Sequence, residues 1–506
     1  MSSPSHPAVA HDAPPSRRQA LTFGGMAALG LVGGGGVALW AATHSGDSGP
    51  APASGGRFVE PALLRSSGGR LSTTLRAAPG ATVAGRRTEA WAFNGTVPGP
   101  TLVARPGDTL AITLDNQLPA MTNLHTHGLH VSPAGTSDNP FRTVAAGTQA
   151  AYEIVLPVNH PTGTYWYHPH HHGLVADQVF AGLYGAILVV GDDELTVDRE
   201  RVLVVSDITL TADGQVPAVS HMAVMQGREG ETVLVNGVVQ PVLGADSGAL
   251  ERWRLVNACT SRFLDVSLDG HVFGLLGRDG QQLGAARDVP HLLVPPGGRA
   301  DLLVRMADAG TYAVRTASVD RIRSSGMGMG MGMDGSTLSR EAVLASVEVG
   351  SAAASTVAPT GSGAAASGWP TWSRDVRDLR GTAVRTQRRL VFTMGMGGGM
   401  FEIDGQVFDP ARVDQSVMLG SVEEWTIANT SSMDHPFHLH VWPFQVLSAA
   451  DHDPAGPPDW RDVVNVPSNG AVTVRIAFED FSGASVYHCH VLDHEDQGMM
   501  GVVEVR

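Results

Sequence analysis

Five pairs of histidines stand one residue apart in this chain: His125/His127, His168/His170, His170/His172, His438/His440 and His488/His490. With 21 histidines in 506 residues, chance placement gives about one such pair, so five require a cause. On a strand, residues i and i+2 project from one face, so each pair offers two imidazoles side by side. Neutral imidazole is a good ligand for copper and zinc. The C-terminal cluster is the most specific: His488-Cys489-His490, then His494 and Met499. Alternation sets His488 and His490 on one face and Cys489 on the other. A thiolate, the His494 imidazole and the weak thioether of Met499 then lie along one strand and its following loop. A second imidazole, His435, comes from His435-Pro436-Phe437-His438-Leu439-His440 and completes the His2Cys set with axial Met that marks electron-transfer copper. Each motif contributes to two sites at once, and the backbone beside Cys489 is a short covalent path between them.

The elements that must hold these residues are strands. The chain is 43% hydrophobic and only 16% charged, and 506 residues are too many for one core. Its 61 glycines and 31 prolines indicate many turns, and long stretches of helical periodicity are missing, so the chain reads as all-β. A formal charge of -15 argues against nucleic acid, which needs a basic face. There are two cysteines: Cys489 lies between histidines, which suggests a use other than a disulfide, and Cys259 reads as a small buried thiol.

Three segments repeat one pattern. The first has Asn94-Gly95-Thr96-Val97-Pro98-Gly99-Pro100 and a strand closing on Asn116; the second has Val235-Asn236-Gly237 and a strand closing on Asn257; the third has Ile403-Asp404-Gly405 and a strand closing on Asn429. A repeat of this length is a domain duplication, each unit being the size of a β-sandwich. The expected divisions are 54–192 (the sandwich itself from about 70), 195–350 and 370–506, with a seam near Asp192-Asp193-Glu194 and an Ala/Gly/Ser linker over 351–369. Residues 1–53 carry Arg17-Arg18, an uncharged stretch from Leu21 to Ala42, and Ala51-Pro52-Ala53. That order resembles a twin-arginine export signal and implies a periplasmic, cell-surface or secreted protein; an uncleaved anchor is the alternative.

Together and in this order, the four histidine motifs and the Asn94–Pro100 entry resemble the multicopper oxidase family, which includes laccases and bacterial cuprous oxidases. The resemblance covers nearly all of the chain after residue 53. It implies three consecutive cupredoxin-like Greek-key β-sandwiches and four copper ions. By that resemblance His435, Cys489, His494 and Met499 hold one type 1 copper, with Cys489 as the electron entry. His125 and His438 hold one type 2 copper, and His127, His168, His170, His440, His488 and His490 hold two of type 3. The three-copper cluster would lie between the first and third sandwiches. His170/His172 offers a competing register, but the Tyr165-Trp166-Tyr167 lead-in matches the family with His168 and His170 as ligands, which leaves His171 and His172 outside the set. Asp138 and Glu495 are similar in place to family acids that pass protons to the cluster, although Ser137-Asp138-Asn139 also suits a plain turn.

The implied reaction takes single electrons from a reducing substrate, Cu(I), a phenolic compound or both, and reduces O2 to water. Met327, Met329, Met331 and Met333 alternate with glycine, and Met394, Met396 and Met400 form a second stretch. Thioether prefers Cu(I), and Gly-Met alternation packs a core poorly, so these stretches read as Cu(I) capture, with a plain flexible loop as the other reading. Met433 and Asp434 are read as part of the substrate entrance. Two further functions compete. A copper-sequestering protein would need the methionines but not the paired histidines, and a cell-division relative that has lost its coppers would lack ligands, of which none is missing here.

Overall fold

The three repeats fold through the same local chemistry. Asn94-Gly95, Asn236-Gly237 and Asp404-Gly405 each put two successive residues at positive φ (55° and 77°, 51° and 77°, 56° and 72°). That is the mirror-image turn that joins tightly twisted strands, and Asn or Asp followed by Gly enters it at least cost. The turn side chain then bonds to the strand beside it: Asn94 Oδ1 accepts from Arg76 N, Asn236 Oδ1 from Val204 N and Asp404 Oδ1 from Val391 N, at 2.8, 2.8 and 2.7 Å. The strand-closing asparagines also share one role. Asn116 Nδ2 donates to Ala120 O and Val144 O, Asn257 Nδ2 to Arg262 O and Val294 O, and Asn429 Nδ2 to Met433 O and Val466 O. All three are buried. A buried amide that satisfies two loop carbonyls fixes how the chain leaves the strand.

The computed structural model describes residues 55–192, 195–322, 339–351, 368–370, 374–395 and 401–506. Residues 1–53 with the expected export signal, Asp193-Glu194, most of the linker, Met327 to Met333, Met396 and Met400 lie outside the described residues. The expected all-β class is what is found: each sandwich has two sheets, of four and five strands in the first and of six and five in the second and third. Among the described residues helix is confined to the short segments Val175–Phe180, His221–Gln226 and Leu492–Asp496. None is long and apolar enough to cross a membrane. Buried apolar residues of the first and third sandwiches, from Leu71 to Val189 and from Leu390 to Val505, form one continuous cluster, and the second sandwich has a cluster of its own around Trp253 and Phe273.

Strand register does the positioning. Strand His125–His127 pairs antiparallel with Gly163–His168, which sets His125 opposite His168. Strand His435–Leu439 pairs with Gly483–Cys489, which sets His438 opposite His488 and Phe437 opposite Cys489. Period-two alternation turns the histidines outward to the first sandwich and Cys489 inward to the third sandwich's core.

Candidate metal centre

His435, Cys489 and His494 converge in the third sandwich, all fully buried. His435 Nδ1 lies 3.3 Å from Cys489 Sγ, His494 Nδ1 lies 3.9 Å from the same sulfur, and the two nitrogens are 3.2 Å apart. An ion about 2.0–2.3 Å from nitrogen and sulfur spaces planar ligands roughly 3.5 Å apart, so this triangle fits one metal ion. The far nitrogens are occupied: His435 Nε2 by Ser431 Oγ at 2.9 Å, and His494 Nε2 by Met225 O at 3.3 Å. A carbonyl can only accept, so His494 carries its hydrogen on Nε2 and keeps Nδ1 for the ion. Phe401 stacks on the His494 ring at 4.3 Å. Met499 is buried beside them and its backbone is clamped to both, since Cys489 N donates to Met499 O and Met499 N donates to His494 O, each at 3.0 Å. Burial pushes the Cys489 thiol pKa up, so a thiolate here needs a cation to hold it.

Next to this triangle the first and third sandwiches pool eight buried imidazoles, His125, His127, His168, His170, His438, His440, His488 and His490. His125 stacks on His440 and His127 on His438, each with ring centres 3.8 Å apart. Ligand atoms of His125, His127 and His168, of His125, His438 and His440, and of His170, His440 and His488 lie within 4.8 Å of one another. The groups share members, which joins seven of the eight, and His490 meets them with its ring centre 5.0 Å from that of His127. Burial lowers the pKa of His125, His127, His168, His170, His438, His440 and His490, which keeps the ligating neutral form. His125 Nδ1 donates to Asp138, 3.0 Å from both oxygens, His168 Nδ1 to Pro169 O at 2.8 Å and His438 Nδ1 to Asp462 O at 2.8 Å. Nε2 of these three rings, Nδ1 of His127 and both nitrogens of His490 are buried without a hydrogen-bond partner among the described residues. Buried lone pairs gathered like this are costly unless a cation accepts them, so the donor set fits metal.

Both expected carboxylates stand at the cluster. Asp138 Oδ1 also accepts from Thr126 N and Oγ1 at 2.7 and 3.1 Å, and Asp138 Oδ2 lies 4.0 Å from His440 Nδ1. Burial outweighs those bonds and pushes the Asp138 carboxyl up to about 7. Glu495, fully buried, lies 3.2 Å from His170 Nε2 and 3.0 Å from His488 Nδ1. The neighbouring Asp496 accepts from Gly173, Val175 and Ala176 N at 2.7, 3.1 and 2.8 Å, tying the third sandwich to the turn after His168–His172. His171 and His172 are half-buried and border a small cavity with Phe141, Phe408 and Val486. Cys259 and Cys489 are both free, and Cys259 is buried with its sulfur 3.9 Å from Val205 O.

Three family models described as multicopper oxidase match residues 77–194, 199–332 and 382–506. The chain belongs to the multicopper oxidase family. The multicopper oxidase mco of Staphylococcus haemolyticus is 27% identical over 426 residues, covering 82% of this chain and 83% of the relative. The multicopper oxidase of Campylobacter jejuni, described as a metallo-oxidase, superposes with a TM-score of 0.77 at 28% identity over 90% of this chain and 96% of its own. The cell division protein FtsP of Proteus mirabilis is 25% identical over 460 residues, 88% of this chain and 91% of the relative. The three sandwiches of this multicopper oxidase are therefore cupredoxin-like, and it is an oxidoreductase that uses copper, O2 and a reducing substrate.

Sequence reading passed over two residues of this multicopper oxidase site. Asp462 and Arg299 are buried beneath the cluster, with His127 Nε2 3.1 Å from Asp462 Oδ1. The available signal was a charged pair, Arg461-Asp462, set against the apolar run Val463-Val464. Met433, read as lining an entrance, is buried, and Arg321 Nη1 donates to its sulfur at 3.6 Å.

Proposed function

We propose that this oxidase takes electrons from Cu(I) at the His435–Cys489–His494 end and delivers them to O2 at the eight-histidine cluster, which holds three of four copper ions. Bound copper would supply the one-electron acceptor at the first site and the electron store for O2 reduction to water at the second. The observation that carries the reading is the tripeptide His488-Cys489-His490, whose sulfur belongs to one site and whose imidazoles belong to the other. In this reading His435, Cys489, His494 and Met499 hold type 1 copper, and His125 and His438 hold type 2. His127, His168, His170, His440, His488 and His490 hold the type 3 pair. Asp138 holds a proton beside His125 and Glu495 holds one between His170 and His488.

Cu(I) is favoured as substrate by where the methionine stretch departs. Ile322 forms a strand bridge with Met433, two residues before His435, and Asp434 N donates to Arg321 O at 2.8 Å. Glu229 takes both sides of the stretch: Arg321 Nη2 donates to it at 3.3 Å, and Ser339 donates from N and Oγ at 2.9 and 2.6 Å. The segment with Met327, Met329, Met331 and Met333 thus starts and ends within the surroundings of the His2Cys site. Met394, by contrast, ends a strand and packs against the third sandwich's core.

Changing Met327, Met329, Met331 and Met333 together to Leu keeps apolar volume and removes only thioether. The expected result is a KM for Cu(I) raised on the order of tenfold, with kcat and phenol oxidation nearly unchanged. A second variant that also replaces Met394, Met396 and Met400 removes any compensation. Cu(I) kinetics unchanged in the combined variant would leave a laccase-like enzyme. O2 uptake absent with both reductants in the copper-loaded parent would favour a copper-sequestering protein.

Arg17-Arg18, the apolar stretch after them and Ala51-Pro52-Ala53 support export of the folded protein. N-terminal sequencing of protein recovered outside the cytoplasm should start just after that triplet; a start at residue 1 would mean the segment is kept.

A further inference from the structure

The second sandwich supplies none of the eight imidazoles, yet it reaches the cluster through Arg299. Arg299 comes from strand Arg299–Arg305 and is fully buried. Its Nη1 and Nη2 donate to Oδ1 and Oδ2 of Asp462, each at 2.6 Å. This fork-on-carboxylate geometry belongs to an ionised acid facing a guanidinium. Arg299 Nε also donates to Thr164 O of the first sandwich at 3.3 Å, and Arg299 N donates to Asp279 Oδ1 at 2.9 Å. Asp279 Oδ2 in turn accepts from Val463 N at 3.2 Å. One buried cation therefore touches all three sandwiches. Space is kept for it at Gly128, the residue after His127, where a Cβ would overlap the Arg299 guanidinium and come within 2.6 Å of Asp462 Oδ2.

We infer that Asp462, held by Arg299, is a positioning residue that selects which nitrogen His127 and His438 present to the cluster. The inference rests on the multicopper reading of that cluster. Asp462 Oδ1 is 3.1 Å from His127 Nε2, and a carboxylate already committed to a guanidinium can only accept, so His127 carries its hydrogen on Nε2. The backbone carbonyl of the same residue accepts from His438 Nδ1 at 2.8 Å. His127 is left with Nδ1 for an ion and His438 with Nε2, and these are the two nitrogens of those rings that lack a hydrogen-bond partner among the described residues. The rings are stacked at 3.8 Å and 9° and belong to different sandwiches. Opposite tautomers in two stacked rings are thus fixed by one residue, and the second sandwich locks that residue in place.

Asp462→Leu and Asp462→Asn together separate this role from general packing. An asparagine oxygen in the place of Oδ1 can accept from both Arg299 Nη1 and His127 Nε2, so Asp462→Asn should keep the tautomer and the copper. Leucine is close in volume and accepts nothing, so His127 is free to carry its hydrogen on Nδ1, where an ion should bind. Purified, copper-loaded Asp462→Leu should keep the blue-site absorption per chain, lose at least one copper ion per chain by metal analysis, and show a changed resonance from the cluster. Arg299→Lys keeps the charge but not the fork, and should lose copper from the cluster partially. Full copper content with an unchanged resonance in Asp462→Leu overturns the assignment, as does loss of the blue absorption in step with the cluster, which would mark a structural effect only. A parent protein that loads the blue site and no other ion would instead sink the multicopper reading of the cluster, and this inference with it.

Discussion

Cys489→Ser should abolish the intense visible absorption of the copper-loaded protein and lower turnover by on the order of a thousandfold or more, while the protein still folds. The sulfur is one corner of the His435–Cys489–His494 triangle, 3.3 Å from His435 Nδ1 and 3.9 Å from His494 Nδ1. Serine is close to cysteine in volume and can accept from Val491 N as the sulfur does at 3.4 Å, so packing changes little. What it cannot supply is a soft, polarisable donor. Cys259→Ser is the matched control, because that buried sulfur lies 3.9 Å from Val205 O and belongs to none of the groups among the described residues that could hold an ion. Colour, copper content and activity should all persist there. An intense visible band in the Cys489 variant, or a copper ion lost in the Cys259 variant, would reverse the assignment of the two thiols.

The second large effect concerns the delivery of protons. Asp138→Asn should slow O2 uptake by about a hundredfold and leave bleaching of the blue site by substrate almost unchanged. Asp138 Oδ1 alone lies 2.7 Å from Thr126 N and 3.0 Å from His125 Nδ1, so an asparagine oxygen in that place keeps both bonds. His125 retains its tautomer and copper content should stay at the parent's value. The amide cannot hold and release a proton, so only the step that consumes protons suffers. Stopped-flow bleaching run beside O2 uptake separates the two, and equal slowing of both would remove the relay role. Burial pushes Asp462 up to about 7 as it does Asp138, so the two differ in partner: Asp462 is forked by the Arg299 guanidinium, which holds it as an acceptor, and Asp138 is held by Thr126 and His125.

Much of this is legible in the sequence, for identifiable reasons. Asn94-Gly95, Asn236-Gly237 and Asp404-Gly405 announce their turns because few residues enter positive φ cheaply, and all three do so here. The paired histidines announce shared faces because strand geometry has a fixed period of two. What period cannot disclose is which nitrogen of a ring points at the cluster, since that depends on the partner at the other nitrogen. For His127 the partner is Asp462, 335 residues away, and Asp462 in turn depends on Arg299, 163 residues before it. In sequence Arg299 is one of many arginines. Its role exists only where three sandwiches meet. Met433 misled for a related reason: a methionine next to a ligand suggests an open entrance, but the Arg321 segment lies over it.

The stacking of His125 on His440 and of His127 on His438 also dictates an order of events during biosynthesis. The first sandwich emerges from the ribosome with its imidazoles facing outward and no counterparts to meet, because His170 and His488 are 318 residues apart. Such distant contacts form late, after the costly closure of the chain between them. The cluster is therefore not a pocket that fills while the protein grows. It comes into being when the last strands, Gly483–Cys489 and Met500–Val505, dock. A chain truncated before them carries six of the eight imidazoles as a loose, solvent-facing chelator, open to any divalent ion that arrives. Selectivity for copper is in this sense a property of completion: the finished molecule chooses its metal, and the nascent one should be kept from choosing early.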